Sequence, residues 1–239
     1  MIVPAKIGAF FDLDGTLIPP PSLEWRFLAH LLACEKVSRT NLMLWLRQWA
    51  KNILRDRHAA IENNKLYLAG LPESLVAEWT AAGAPNSPPF FLEGMARLAE
   101  HHTQGHRIFL VTGTLAPLAR AIAHHIPCPV EIVASEVEVL DGRWTGWLVG
   151  EHMSGKAKAC AIQALAARYR LELRQSHAYG NDVADLPMLD AVGSPVAVNP
   201  SRRLARMART RGWPIYKWHE LQTSAKTTHT RLFTPTEAQ

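Results

Sequence analysis

From Pro89 onward the chain alternates strand and helix signals, and this alternation constrains the fold more than any other feature of the sequence. A helical pattern covers Leu92 to His101, the apolar run Arg107-Ile108-Phe109-Leu110-Val111 reads as a strand, and a helical pattern returns near Leu115 to His125. Short strands follow around Val130 to Leu140, with a hairpin signal at Asp141-Gly142. A helix over Ala157 to Tyr169, a strand near His177 to Tyr179 and a helix over Leu186 to Ala191 complete the series. Upstream, Ile7 to Leu13 is apolar and ends in Asp-Gly-Thr, the pattern of a buried strand entering a turn. Such alternation argues for an α/β fold, a parallel sheet covered by helices, with ligands at the carboxyl ends of the strands.

Residues 22 to 82 change character. They carry helical spacing, few β-branched runs and four of the eight tryptophans, Trp25, Trp45, Trp49 and Trp79. They end in the breaker-rich Ala84-Pro85-Asn86-Ser87-Pro88-Pro89, so they read as a helical insertion. The expected organisation is a core of residues 1–20 and 88–222, a helical cap of residues 21–87, and a polar, Thr-rich flexible tail of residues 223–239.

With 239 residues, 48% of them hydrophobic, the chain is long enough for one substantial core with a smaller insertion. Twenty-six Lys and Arg against 21 Asp and Glu give a net charge of +5, which favours anionic partners without choosing among them. Cys34, Cys128 and Cys160 are odd in number and lack CxxC or His-paired spacing, so neither a disulfide framework nor a zinc site is expected, and a reduced cytoplasm is the simple reading. The apolar run before Asp12 is too short for a signal peptide. No uninterrupted apolar stretch reaches the roughly 18 residues that span a membrane.

The strongest single segment is Phe10-Phe11-Asp12-Leu13-Asp14-Gly15-Thr16-Leu17, two carboxylates spaced by one residue where a buried strand gives out. The strand period of two turns both toward the same side, where a hard cation with oxygen ligands could hold them. By itself the segment reads more readily as a turn with solvated acids. A calcium loop is excluded, because no Glu stands where its twelfth ligand belongs.

Here the chain resembles the haloacid dehalogenase (HAD) superfamily, whose first motif is an apolar strand followed by D-x-D-G-T. Ile108 to Gly113 resembles the second motif, in which a Ser or Thr hydroxyl and the following amide hold a phosphoryl group. Ser154-Gly155-Lys156-Ala157-Lys158-Ala159 resembles the third, a Lys at a helix start. Either lysine could serve, with Lys158 preferred because Ile162 and Leu165 follow it at apolar helical spacing. Tyr179 to Leu189 resembles the fourth, acidic motif, but Asn181 stands where the family usually places Asp. Either Asn181 or Asp182 then completes the metal site, and Asp185 fits both registers. The insertion between the first and second motifs points to the subgroup that includes phosphoserine phosphatases.

The resemblance implies a Rossmann-like three-layer HAD core with a cap inserted after the first motif. It implies a Mg²⁺-dependent phosphomonoester hydrolase in which Asp12 is the nucleophile that forms a phospho-aspartyl intermediate and Asp14 the proton carrier. Thr112, Gly113 and Lys158, or Lys156, bind the phosphoryl group. Asp12, Asp14, Asn181, Asp182 and Asp185 supply the Mg²⁺ ligands. The expected partner is a small phosphorylated metabolite, with no nucleic acid and no stable membrane insertion; peripheral membrane contact and oligomeric state stay open.

Substrate choice is assigned to the cap. Counting from the Gly70-Leu71 pair, the position where phosphoserine phosphatases carry a carboxylate-gripping Arg is Asn64, which weighs against phosphoserine. Lys65 beside it is expected to point elsewhere, and Glu24 stands near the acid that meets a substrate amine. Leu42, Trp45, Leu46, Trp49 and Ile53 form one helical stripe, with Arg47, Lys51 and Arg55 on another. The stripe reads as the cap's own core, the alternative being a membrane-surface helix and hence a lipid-phosphate phosphatase. A catalytically silent phospho-ligand-binding protein is the remaining alternative, with Asn181 its best argument. The pairs His101-His102 and His124-His125 are expected at the surface, not as ligands.

Overall fold

A computed structural model describes residues 6–53, 64–81 and 90–219, without the side chains of 51–53. Six parallel strands form one sheet in the order β3-β2-β1-β6-β7-β8, and two more form a separate hairpin. The strands are β1 (Gly8–Phe11), β2 (Arg107–Leu115), β3 (Glu131–Ser135), β4 (Val137–Leu140), β5 (Arg143–Leu148), β6 (His177–Gly180), β7 (Ser194–Val198) and β8 (Ile215–Tyr216).

The sheet is buried on both faces, and the strand period of two sorts its side chains. Ala9, Phe11, Ile108, Leu110, Tyr179 and Val196 pack to one side. Phe10, Phe109, Val111, Ala178 and Ala197 pack to the other. The first face is covered by α4 (Leu92–Thr103) and α5 (Ala116–Ala123), through Leu98, Leu118 and Ile122. The second is covered by α6 (Lys156–Tyr169), α7 (Leu186–Asp190) and α8 (Arg202–Arg211), through Ile162, Leu165, Leu189, Leu204 and Ala208. The fold is therefore the three-layer α/β sandwich that the alternation of signals predicts.

Between β1 and α4 run α1 (Leu23–Ala33), α2 (Arg39–Ile53) and α3 (Leu75–Ala81). Ser22 caps α1 by accepting a hydrogen bond from the Trp25 amide. Leu23, Phe27 and Leu31 recur every four residues and turn one stripe inward. Phe27 meets Trp79 and Trp144 edge-on, with centroids 5.3 and 6.1 Å away; burying such a ring contributes about 1.5–3 kcal/mol.

The β4–β5 hairpin clasps this insertion. Asp141 (φ 50°) and Gly142 (φ 73°) both occupy the left-handed region that a tight two-residue hairpin turn requires. On the far strand, Gly70 N–H donates to the Trp144 carbonyl at 2.7 Å and Trp144 N–H to Leu71 at 2.9 Å. Gly146 is needed there, because a Cβ would lie 2.9 Å from the Leu66 Cα.

The α2 stripe departs from expectation. Leu42, Trp45 and Trp49 are half-buried, whereas Leu46 is exposed, as are Met43 and Leu44. Arg55 and the tail beyond 219 lie outside the described residues, as do 84–89. Among the described residues, no helix is long and apolar enough to cross a membrane.

Candidate active site

The sheet order explains why distant segments converge. β1 lies between β2 and β6, so the loops leaving their carboxyl ends are neighbours at the point where the strand order reverses. Asp12 follows β1 directly and its amide donates to the Tyr179 carbonyl on β6 at 2.9 Å. A cavity of about 300 Å³ opens there, lined by Asp12, Asp14, Thr112, Gly113, Lys158, Asn181, Asp182 and Asp185. Trp25, Leu28, Trp45, Asn64, Lys65 and Tyr67 line its insertion side.

Asp12 and Asp185 converge on one buried ammonium. Lys158 Nζ donates to Asp12 Oδ1 and to Asp185 Oδ1, each at 2.6 Å. Lys158 shares the inner face of α6 with Ile162 and Leu165, which fixes its direction. Lys156, the other candidate, is exposed and does not line the cavity. Burial first, then the Asp185 carboxylate, push the Asp12 carboxyl up to about 7, against the Lys158 ammonium. For Lys158, burial disfavours the charge, but the two carboxylates outweigh it and hold the ammonium well above its ordinary range.

Asp14 faces the same cavity from a different environment. Its Oδ1 accepts from the Leu23 amide at 2.9 Å, at the start of α1. Its Oδ2 accepts from the Thr114 hydroxyl, and Thr112 Oγ1 in turn donates to Thr114 Oγ1 at 3.1 Å. Burial raises Asp14, and the hydrogen bonds from Thr114 and Leu23 oppose it. A carboxyl held by Thr114 and the Leu23 amide is thus placed beside a carboxylate paired to an ammonium. Two acids whose surroundings differ in this way can divide acid and nucleophile roles.

The fourth segment is held by Asp185. Its Oδ2 accepts the Asn181 and Asp182 amides at 2.9 and 3.0 Å. Asp182 caps the short turn that follows by accepting from the Ala184 amide, and Asp185 completes a capping box with it. Asn181 instead turns toward β1, where its Oδ1 accepts from Thr16 Oγ1 at 3.4 Å. Thr16 also donates to Asp12 Oδ2 at 3.0 Å. Gly15 (φ +85°) gives Asn181 its room, since a Cβ there would stand 2.0 Å from Asn181 Nδ2.

Two carboxylates crowded enough that one is pushed up by the other, with an amide oxygen beside them, form an all-oxygen donor set that suits a hard divalent cation. Asp12, Asp185 and Asn181 are the residues that would hold it.

Several residues of the cavity escape a reading of the motifs. Thr114 repeats the hydroxyl of Thr112 at strand period, which is the only signal it gives. His152 has none; its ring closes over Gly113, where a Cβ would lie 2.6 Å from Cε1. Burial, then Lys65, lower its pKa to about 4, so it is neutral. Lys65 overturns its expected direction. It is buried in the cavity wall and donates to both Glu24 oxygens at 2.6 and 2.8 Å, from the cap position of the 3₁₀ turn Leu66–Leu68 and not from an α-helix. Tyr67 O–H donates to the same carboxylate at 2.8 Å. Asn64 is buried too, but its side-chain amide donates to the Trp45 carbonyl at 2.8 Å. His101 also corrects the surface reading, being buried against Tyr179, while His102, His124 and His125 are exposed.

The fold and the cavity together define an α/β enzyme that presents a buried carboxylate beside an ammonium at the switch point of its sheet. The family model for haloacid dehalogenase-like hydrolases matches residues 9–190. The chain belongs to that family. It is 34% identical over 220 residues to a Mycobacterium tuberculosis protein named phosphoserine phosphatase SerB1, covering 87% of this chain and 70% of that one. A crystal structure of a Bordetella pertussis protein of unknown function superposes with a TM-score of 0.74 at 25% identity, over 89% of this chain and 98% of that one. A probable phosphoserine phosphatase from Vibrio cholerae shares the fold, with a TM-score of 0.64 at 17% identity over 90% of this chain and 62% of that one.

Proposed function

We propose that the chain is a Mg²⁺-dependent phosphomonoester hydrolase that works through a phospho-aspartyl intermediate on Asp12. The observation that carries this reading is the pairing of Asp12 with Lys158 at 2.6 Å beside a separately hydrogen-bonded Asp14. Asp12 attacks phosphorus as the bond to the leaving oxygen breaks, and Asp14 gives that oxygen its proton. Water then attacks the aspartyl phosphate, loses a proton to the Asp14 carboxylate, and frees Asp12 and inorganic phosphate. Lys158, Thr112 and the Gly113 amide stabilise the equatorial oxygens. Mg²⁺, when bound, offsets the repulsion between carboxylate and phosphate. Asn181 is the amide ligand, because its Oδ1 is turned toward the Thr16 hydroxyl that also meets Asp12.

Residues 21–87 act as the cap, and a small phosphorylated metabolite in the cytoplasm is the substrate class. The relative named phosphoserine phosphatase makes phosphoserine one arm of the test. Against it, Asn64 is committed to the Trp45 backbone, and Lys65 is already paired with Glu24. A substrate carboxylate would have to displace that pair. Phosphate release from an aryl phosphate, measured with Mg²⁺ and with excess EDTA, tests the proposal; equal rates in the two would sink it.

A further inference from the structure

Away from the cavity, three histidines meet at the other end of the sheet. His106 immediately precedes β2, and His177 opens β6, the two strands that flank β1. His101 reaches them from the last turn of α4. One ring nitrogen of each lies within 4.8 Å of the other two. His101 Nδ1 and His106 Nδ1 are 2.8 Å apart. We propose that His101, His106 and His177 form a binding site for a borderline divalent transition metal such as Zn²⁺, separate from the oxygen-donor site at Asp12.

The geometry requires little rearrangement. Tetrahedral Zn²⁺ with bonds of about 2.0–2.1 Å sets its imidazole nitrogens roughly 3.3 Å apart. Opening the His101–His106 pair slightly and drawing His177 inward meets that spacing. His101 Nε2 lies 2.8 Å from the Tyr179 hydroxyl, which in the tautomer protonated at Nε2 orients the ring as a ligand. Donation from Nε2–H to Tyr179 leaves the Nδ1 lone pair facing the cluster, and His106 Nδ1–H then closes the hydrogen bond. Binding asks His106 only to move its proton to Nε2, with no net charge change on the protein. Such an outer hydrogen bond commonly fixes the tautomer of a metal-bound histidine.

The electrostatics agree. Burial, then the neighbouring rings, push His101 down to about 3, and burial also lowers His106 and His177, so all three are neutral. Arg97 is the nearby cation that opposes a metal, and Glu100 pairs with it at 2.6 Å. Imidazole donors select zinc, nickel, cobalt or copper over magnesium, so the two sites would not compete for one ion. His101 and His177 border a depression also lined by Arg97, Gln104 and Tyr216, from which water would supply a fourth ligand. The metal would tie α4 to β2 and β6. Tyr179 extends the tie toward the active site, since its ring stacks on Phe11 at 4.4 Å, next to Asp12.

The test titrates untagged, chelator-stripped full-length protein with Zn²⁺ against a chromogenic chelator. Wild-type protein should hold one equivalent that survives in Asp12→Asn, with a cobalt-substituted form giving tetrahedral visible bands. His106→Asn and His177→Asn should each weaken that equivalent by at least the roughly 10–100-fold that loss of an outer partner costs, while His102→Asn, next door and exposed, leaves it unchanged. Both partly exposed sites should tolerate Asn, and unchanged Mg²⁺-dependent turnover confirms the fold; if either variant unfolds, His→Gln at the same position serves. No retained equivalent, or one that is indifferent to both substitutions, overturns the proposal.

Discussion

Replacing Asp12 by Asn should stabilise the metal-free protein while removing its activity. Asp12 and Asp185 share a single ammonium, Lys158, inside a buried site, and Asn at position 12 removes one of the two carboxyls that compete for it. The Asp12 carboxyl is raised from 3.8 to about 7, a difference of about 3 units, or about 4 kcal/mol at 1.36 kcal/mol per unit. The sign follows from linkage: an acid with a raised folded pKa binds its proton more tightly when folded. The contribution of this group is full below pH 3.8 and is lost as pH rises through about 7. In EDTA at pH 8, Asp12→Asn should therefore melt above wild type by up to roughly 8–16 °C, taking ~2–4 °C per kcal/mol for a chain of this size. The gap should shrink toward pH 5 and close when saturating Mg²⁺ lets wild type recover. Thermal melts at pH 5, 6.5 and 8, with EDTA or Mg²⁺, measure it. A variant that melts at or below wild type at pH 8 in EDTA, or a gap independent of pH, refutes the reasoning.

Thr114→Val removes the hydroxyl that lowers Asp14, so the limb of the kcat–pH profile set by Asp14 should move to higher pH; an unmoved limb shows that Asp14 is not the titrating group. Beryllofluoride should trap an adduct on Asp12 and none in Asp12→Asn, and an adduct mapped elsewhere rejects Asp12 as nucleophile. Phosphoserine should give a kcat/KM at least about tenfold below that of glycerol phosphate or histidinol phosphate, since a desolvated, unpartnered carboxylate costs roughly 1–3 kcal/mol or more; a tenfold preference for phosphoserine would overturn the argument from Asn64. Gly15→Ala should cut turnover and soluble yield together, because it meets both the positive φ and the Asn181 side chain, and wild-type kinetics would contradict that.

The layers of the core were legible in the sequence because they rest on local periodicity. Phe10, Phe109 and Ala178 face one way and Phe11, Leu110 and Tyr179 the other simply because a strand alternates. The hairpin at Asp141-Gly142 was legible for a similar reason, since few residues accept two positive φ values in succession. Lys158 was separable from Lys156 by its helical spacing to Ile162 and Leu165.

Pairings between distant segments were not legible. Glu24 and Lys65 stand 41 residues apart and meet only because the 3₁₀ turn Leu66–Leu68, which Lys65 precedes, packs against the hairpin. His101 and His177 reach each other only once β1 sets β2 and β6 on its two sides. The same placement lays His152 over Gly113 and Asn181 over Gly15. The sequence by itself determined which residues alternate, cap and turn, because those preferences act within a few residues of the chain. The tertiary structure decided which polar groups share a buried volume, because burial and Coulomb interaction depend on distance through space and leave no periodic trace along the chain.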